Sequence, residues 1–296
     1  MQIVIPMAGI GKRFLDAGYK TPKPFLMVEG ATMIEHVFNL YPANGNFLLI
    51  CNNSHLKMRS VKKILNNIKG NKTIVGIDNH ELGPVHTILK AESFIKDNEP
   101  VIVNYSDFMM LWEFKDFMSK VANPEVASVS VCYKNFHPHL LRNNLYAGVK
   151  VNDSMQAIEV REKYSFTENL MDTWQQAGTF YFKTGKLLKD YSRQVIAKGI
   201  AHAGEHYVSH LFNLLIKDGL KSLVYPIDYF CQWGTPEDLE SYEAWLRLFS
   251  GKAGTKKGIT DIPATREKNV KIDSVPESKE YQMIKSYWEN YFKKSK

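Results

Sequence analysis

Short apolar runs alternate with amphipathic stretches through the first half of the chain. IVIP (3–6), NFLLIC (46–51), TIVGID (73–78) and VIVNY (101–105) are rich in Val and Ile, apolar almost throughout and too short for helices. Helical patterns lie between them. One starts at about Met33, where Thr32 and Glu35 have capping-box spacing; a basic one runs from about Lys57 to Ile68; a third starts at about Val85. Runs that are apolar on both faces, separated by helices of about 10–15 residues, predict buried parallel strands in βαβ units. The expected fold is α/β, a Rossmann-like three-layer α/β/α arrangement with a mixed, mainly parallel sheet. Such a sheet binds ligands at the carboxyl ends of its strands.

The second half reads differently. VASVSVCY (126–133), YAGVKV (146–151), MQAIEV (155–160) and AGTFYFK (177–183) are alternating strands divided by loop signals. Helices are predicted over Gly185 to Ala197 and Glu205 to Lys217, then a strand SLVYPI (222–227) and a helix after Thr235-Pro236. This half is expected to extend the first sheet with antiparallel strands, so that residues 1–250 form one catalytic unit. Residues 251–276 read as a linker of Gly, Lys, Thr and Pro. Residues 277–296 read as a C-terminal helix, with Tyr281, Ile284, Trp288 and Tyr291 on one stripe. That stripe would dock on the core or, as the alternative, mediate a homodimer.

Composition narrows the function classes. The 44% hydrophobic and 23% charged content is that of an ordinary globular protein. Cys51, Cys132 and Cys231 are odd in number and form no CxxC, which argues against a disulfide framework or a zinc site and fits a cytoplasmic protein. No apolar run approaches the ~20 residues of a membrane span, so no membrane partner is expected. The net charge is +7, but Gly251 to Lys296 hold eleven Lys and Arg against six Asp and Glu, leaving +2 for the first 250 residues. A body so weakly charged is no nucleic-acid binder.

The candidate chemistry follows the first strand, in MAGIGKRF (7–14) and TPKPF (21–25). Glycines after a strand let backbone N–H groups approach phosphate oxygens. The segment lacks the GxxxxGK[ST] of a P-loop, and Phe14 stands where the dinucleotide fingerprint needs a third Gly or Ala. Gly9, Gly11, Arg13 and a Pro22-Lys23-Pro24 remain. This pattern resembles the signature of the sugar-phosphate nucleotidyltransferases, the NDP-sugar pyrophosphorylases. Later segments resemble the same family in the same order: Glu81-Leu82-Gly83-Pro84 with Thr87, Asn104-Tyr105-Ser106-Asp107, Glu162-Lys163, Ala177-Gly178-Thr179 and Gly234-Thr235-Pro236-Glu237-Asp238.

The resemblance implies a nucleotidyltransferase fold and an Mg²⁺-dependent transfer, in which a phosphate monoester attacks the α-phosphorus of an NTP. It implies a nucleotide site of Met7, Ala8, Gly9, Gly11, Lys12, Glu81 and Gly83. Arg13 would hold the departing phosphates, Lys23 the α-phosphate, and Asp107 the metal. Glu162, Lys163, Gly178 and Tyr207 would meet the acceptor. The attacker is already anionic, so the residues' work is to align two polyanions and neutralise charge. Two positions depart from the family. Gln232 stands where many members carry a second metal-binding aspartate, and Tyr207 and His210 stand where hexose-1-phosphate members carry acids. Pro6-Met7, the Gly-Pro-Val of the base loop and Ser106-Asp107-Phe108 look like the capsule and surface-polysaccharide branches, some of which use CTP and accept polyol phosphates. CTP is therefore the expected nucleotide, with UTP, dTTP and GTP as alternatives. The partners expected are an NTP and a small phosphorylated sugar or polyol. A glycosyltransferase of similar fold would want Asp-x-Asp at the metal, and an inactive regulatory homologue would not keep Arg13, Lys23 and Asp107. His137 and His139 have no metal-ligand partner by spacing and are expected to be loop residues.

Overall fold

The computed structural model describes residues 1–142, 146–249 and 279–294; the expected linker, 251–276, lies outside the described residues. The first half contributes strands β1 (Gln2–Met7), β2 (Met27–Val28), β3 (Ala31–Thr32), β4 (Asn46–Asn52), β5 (Asn71–Ile77), β6 (Val101–Asn104) and β7 (Phe108–Leu111). The second adds β8 (Val126–Tyr133), β9 (Gly148–Val151), β10 (Ala157–Arg161), β11 (Trp174–Phe182), β12 (Lys221–Ile227) and β13 (Tyr229–Gln232). The helices are α1 (Lys12–Asp16), α2 (Met33–Asn39), α3 (Asn53–Lys57), α4 (Arg59–Asn67), α5 (Pro84–Lys90) and α6 (Phe114–Val121), then α7 (Gly185–Ala197), α8 (Ser209–Lys217), α9 (Pro236–Phe249) and α10 (Lys279–Lys294).

Nine strands form one mixed sheet in the order β12-β8-β11-β6-β1-β4-β5, with β9 laid against the start of β11 and β10 beyond β9. The β5-β4-β1-β6 block is parallel, β11 runs antiparallel to β6 and β8, and β12 returns parallel to β8. Pairing of Ile3 with Phe47 and Val4 with Leu48 explains the doubly apolar runs. Ile3, Ile5, Phe47 and Leu49 face a core shared with α2, α4 and α6, while Val4, Leu48 and Ile50 face one shared with α5, α7 and α8. The three-layer expectation is met, and Thr32 with Glu35 does form the capping box that starts α2.

Several local expectations change. β5 is the sheet's open edge, so TIVGID is largely exposed, with Ile74 in solvent. VASVSVCY does not alternate: every residue of β8 is buried, and its serines are satisfied, Ser128 donating to Ser222 at 2.8 Å and Ser130 lying 3.4 Å from the Cys132 sulfur. α8 begins at Ser209, not Glu205, because His202 and Glu205 exchange backbone hydrogen bonds and His206 donates to the Leu82 carbonyl. His137 and His139 do lie in the loop and 3₁₀ turn after β8, yet they are buried, His139 bonding the Tyr133 hydroxyl at 2.8 Å, and burial lowers the pKa of His137 to about 4. The pair β7–β13 forms a separate two-stranded antiparallel ribbon.

A third core lies beside that ribbon. Phe14 of α1, Val28, Met33, Cys231, Trp233 and Tyr242 pack with Ile284, Tyr287, Trp288, Tyr291 and Phe292 of α10. The aromatic stripe of the terminal helix is thus turned onto the chain's own core. Trp288 stands edge-on to both Tyr242 and Tyr291, at ring distances of 5.4 and 5.5 Å.

On α9, Glu243 is buried, and its Oε1 has no hydrogen-bond partner among the described residues. Burial, reinforced by Glu29 and opposed by Arg247, pushes its pKa up to about 8 from 4.5. The native state therefore keeps a proton that the unfolded chain releases. The stabilisation is complete below about pH 4.5 and is lost as pH climbs toward 8. Glu243→Gln is expected to flatten this dependence and to raise the urea midpoint at pH 8 more than at pH 5. Equal midpoint changes at both values would refute the assignment.

Candidate active site

The strand order has one reversal. From β1 the chain proceeds through β4 to β5 on one side, then returns to place β6 on the other side of β1. The crevice at the carboxyl ends of β1 and β6 is the topological switch point, where open α/β sheets bind ligands. The loop after β1 carries Gly9 to Phe25, and the turn after β6 carries Tyr105 to Asp107. Two buried asparagines secure these ends. Asn52 donates to the Ala8 carbonyl at 3.0 Å, and the Asn104 side-chain oxygen accepts from Tyr41 and Thr179 at 2.6 Å each.

Lys23 and Asp107 meet across the switch point. The Lys23 ammonium lies 2.6 Å from Asp107 Oδ2 and donates to the Gly234 carbonyl at 2.9 Å. The Pro-Lys-Pro setting explains its placement. Residues 23–25 form one 3₁₀ turn, closed by Phe25 N–H to Pro22 O at 2.9 Å, with Pro24 and Phe25 buried. The backbone is held while the lysine side chain projects. Asp107 follows β6 and opens β7, so it is a turn residue and not a helix N-cap; its carbonyl accepts from Trp233 N–H at 2.8 Å. The ribbon therefore brings Asp107 and Gly234 side by side.

Gly11 has φ +68° and starts α1, and a Cβ there would come within 3.3 Å of Lys23 Cβ. Gly9 has nothing within 4 Å of the place a Cβ would take, so the chain's own packing does not demand glycine there. Met7 and Ala8 are buried, leaving only their backbone to face a ligand. Arg13 is exposed on α1, whereas Lys12 pairs with Asp16 across one helical turn. Gly83 has φ +87°, and a Cβ would strike the His206 backbone at 2.7 Å. Exposed Glu81 sits in this loop, which His80 braces by accepting from Leu82 N–H at 3.2 Å and contacting the Thr87 hydroxyl at 3.1 Å.

On the far side, Glu162 accepts a hydrogen bond from Ser209, and burial raises its pKa against the pull of that bond and of Lys163. The Lys163 ammonium stands 4.8 Å above the Tyr146 ring. Partial loss of water lowers its pKa, opposed by Glu162; the fields of Arg13, Asp107 and Asp238 also reach it. Burial and a bond to Glu205 raise the pKa of the Tyr207 hydroxyl, which feels Arg13 as well. Gly178, at φ +93°, sits under Tyr105 and Phe108, each 3.1 Å from its would-be Cβ. Arg13, Lys23, Asp107, Glu162, Lys163 and Tyr207 thus lie close enough to share one electrostatic environment. Tyr146 and Ser209 belong to the same wall but carry no sequence signal; a lone Tyr or Ser resembles any other.

Gln232 is buried at the end of β13, and neither amide atom has a partner among the described residues. It lines a cavity of about 200 Å³ with Asp238, Tyr242 and Trp288. Asp238 is committed to Thr235 N–H at 3.1 Å, and Asp228 is an exposed partner of Lys294. Among the described residues no three His, Cys, Asp or Glu side chains could hold a metal by themselves. One reachable carboxylate, Asp107, does suit Mg²⁺ that arrives with phosphates, since this ion keeps few protein ligands. No described helix is long and apolar enough to cross a membrane.

No protein-family model matches the sequence, and no curated protein matches it. Solved structures do match in fold. The chain is similar to the nucleoside-diphosphate-sugar pyrophosphorylase from Vibrio cholerae RC9, with a TM-score of 0.64, 22% identity, and coverage of 81% of this chain and 98% of that one. It is also similar to the inositol-1-phosphate CTP transferase from T. maritima, with a TM-score of 0.60, 18% identity, and coverage of 82% and 93%. At such identities the likeness is one of fold: this chain has the Rossmann-like α/β/α fold of those two proteins.

Proposed function

We propose that this protein is a nucleotidyltransferase that joins an NTP, CTP first, to a small sugar or polyol phosphate and releases pyrophosphate. The observation that carries this reading is the Lys23 ammonium held between Asp107 and the Gly234 carbonyl at the switch point. An acceptor phosphate oxygen would attack the α-phosphorus. The bond from that phosphorus to the bridging oxygen breaks, and its electrons leave with pyrophosphate. The residues assigned to nucleotide and acceptor keep the roles stated above, with the Gly9–Gly11 and Glu81–Gly83 loops around the nucleotide. Mg²⁺ would be held by Asp107 together with the nucleotide phosphates, and would neutralise part of their charge.

In this reading Lys23 is released from Asp107 when phosphates enter, and meets the charge that builds at the α-phosphate. Arg13, exposed and permanently charged, suits the departing β- and γ-phosphates. Lys163 suits the acceptor phosphate, with Glu162 bonding an acceptor hydroxyl and Tyr207 closing that side. The fold likeness to an inositol-1-phosphate CTP transferase supports CTP and a polyol phosphate as the first pair to try. The resemblance of Pro6-Met7, Gly83-Pro84-Val85 and Ser106-Asp107-Phe108 supports a place in surface-polysaccharide precursor synthesis, and the unpaired cysteines suit a cytoplasmic setting.

Incubation with Mg²⁺, each NTP and a panel of sugar and polyol phosphates is expected to release pyrophosphate with at least one pair, CTP foremost. Absence of pyrophosphate from every pair would overturn the reading. Lys23→Ala and Asp107→Ala are each expected to lower kcat ~100- to 1,000-fold. Their melting temperatures should stay close to the parent's, because a part-exposed ion pair contributes ~1 kcal/mol or less. Near-normal turnover in either variant would remove its assigned role. Lys163→Met should raise KM for the acceptor about tenfold or more while leaving KM for the NTP within about twofold. A selective loss of NTP affinity would place Lys163 on the other substrate.

A further inference from the structure

The ribbon β7–β13 carries Asp107 just before its first strand and Gly234 just after its second. β7 covers one side of β13. On the open side, the Phe230 N–H donates to the Tyr287 hydroxyl at 3.3 Å, and that hydroxyl donates to the Phe230 carbonyl at 3.0 Å. One side chain of α10 thus takes the place of a neighbouring strand. One helical turn later, the Tyr291 hydroxyl lies 3.2 Å from the Met109 sulfur, on the other strand and two residues beyond Asp107. Tyr287 and Tyr291 are spaced i, i+4 and share a helix face. Each grips one strand of the ribbon.

Apolar docking of α10 does not need these bonds. Ile284, Trp288 and Phe292 already bury the helix in the third core. The hydroxyls add direction, because they fix the ribbon relative to α10 along the strand axis. At the ribbon's end, Trp233 N–H holds the Asp107 carbonyl, and Gly234 and Asp107 jointly hold Lys23. We propose that α10 is a positioning element for Lys23, acting through the hydroxyls of Tyr287 and Tyr291 on the β7–β13 ribbon. The catalytic part of this proposal rests on the nucleotidyl-transfer reading above.

The test uses the full chain and the single variants Tyr287→Phe and Tyr291→Phe, with the double variant. Two readouts are taken. The first is the rate of reductive methylation of Lys23, followed peptide by peptide by mass spectrometry without any substrate. The second is kcat and KM with whichever NTP–acceptor pair the parent uses. In Tyr287→Phe, Lys23 is expected to label about three- to tenfold faster, while exposed lysines such as Lys12 label at the parent rate. kcat should fall about tenfold with both KM values within about twofold. Lys23 labelling and kcat both at parent values would overturn the proposal. So would labelling that quickens at all lysines alike, or KM values that rise with the fall in kcat, since either marks a general loosening. Should Tyr287→Phe fail to fold, Tyr291→Phe is held to the same criteria. A parent inert with every pair, but showing selective Lys23 labelling in the variants, would overturn the reaction and leave the positioning role standing.

Discussion

Everything at the crevice depends on a lysine ammonium shared between a carboxylate and a backbone carbonyl. Lys23 comes from the loop after β1, Asp107 from the turn after β6, and Gly234 from beyond β13. No local propensity brings these three segments together. The sheet order does, by making β1 and β6 neighbours with their carboxyl ends facing the same way. The part-buried ion pair adds little to stability. Its importance is positional: it sets a cation and a carboxylate side by side at the switch point, which the proposed reaction uses for its phosphates.

The third core is what makes that arrangement stiff. Phe14, which anchors α1, lies 5.5 Å from the Lys23 ammonium and packs in the same cluster as Trp233, Tyr242 and Trp288. The loop that presents Arg13 and the strand that presents Gly234 therefore share one apolar foundation. A site whose supporting side chains are packed on all sides keeps its geometry better than one left on loops. The terminal helix completes this foundation, and that gives a physical reason for an aromatic-rich segment far along the chain from the site it supports.

Much of the sheet was legible because a strand buried on both faces has no polar positions to spare. β1, β4 and β6 announce themselves in that way. β5 has the same apolar look yet lies at the edge, because nothing in a single sequence says which strand is last. β7 and β13 are only four residues each and interrupt motif residues, so their ribbon had no periodicity to betray it. The site divides along similar lines. Lys23, Asp107 and Glu162-Lys163 stand in distinctive settings, Pro-Lys-Pro above all, which single them out in the sequence as candidates. Tyr146, Ser209 and the bracing His80 act only through tertiary contacts, and their types and spacings are commonplace. His137 and His139 do lie in the loop and 3₁₀ turn after β8, but their burial was not legible, because the partner of one of them is a tyrosine hydroxyl in the core.

The cations of the crevice are held to different degrees, and the difference matches the chemistry proposed for them. Lys23 is held by two acceptors, and its backbone by a 3₁₀ turn. Arg13 is exposed on a short helix, and Lys163 rests on an aromatic ring, where lost hydration lowers its pKa and the carboxylates near it oppose that fall. In a nucleotidyl transfer the α-phosphorus is the one centre where bonds form and break, so placement there governs rate. The leaving pyrophosphate must depart and the acceptor phosphate must arrive, and cations that grip less rigidly serve groups that move. Fixing the centre and loosening the ends is the arrangement expected if stabilisation is concentrated on the transition state and not on the bound polyanions.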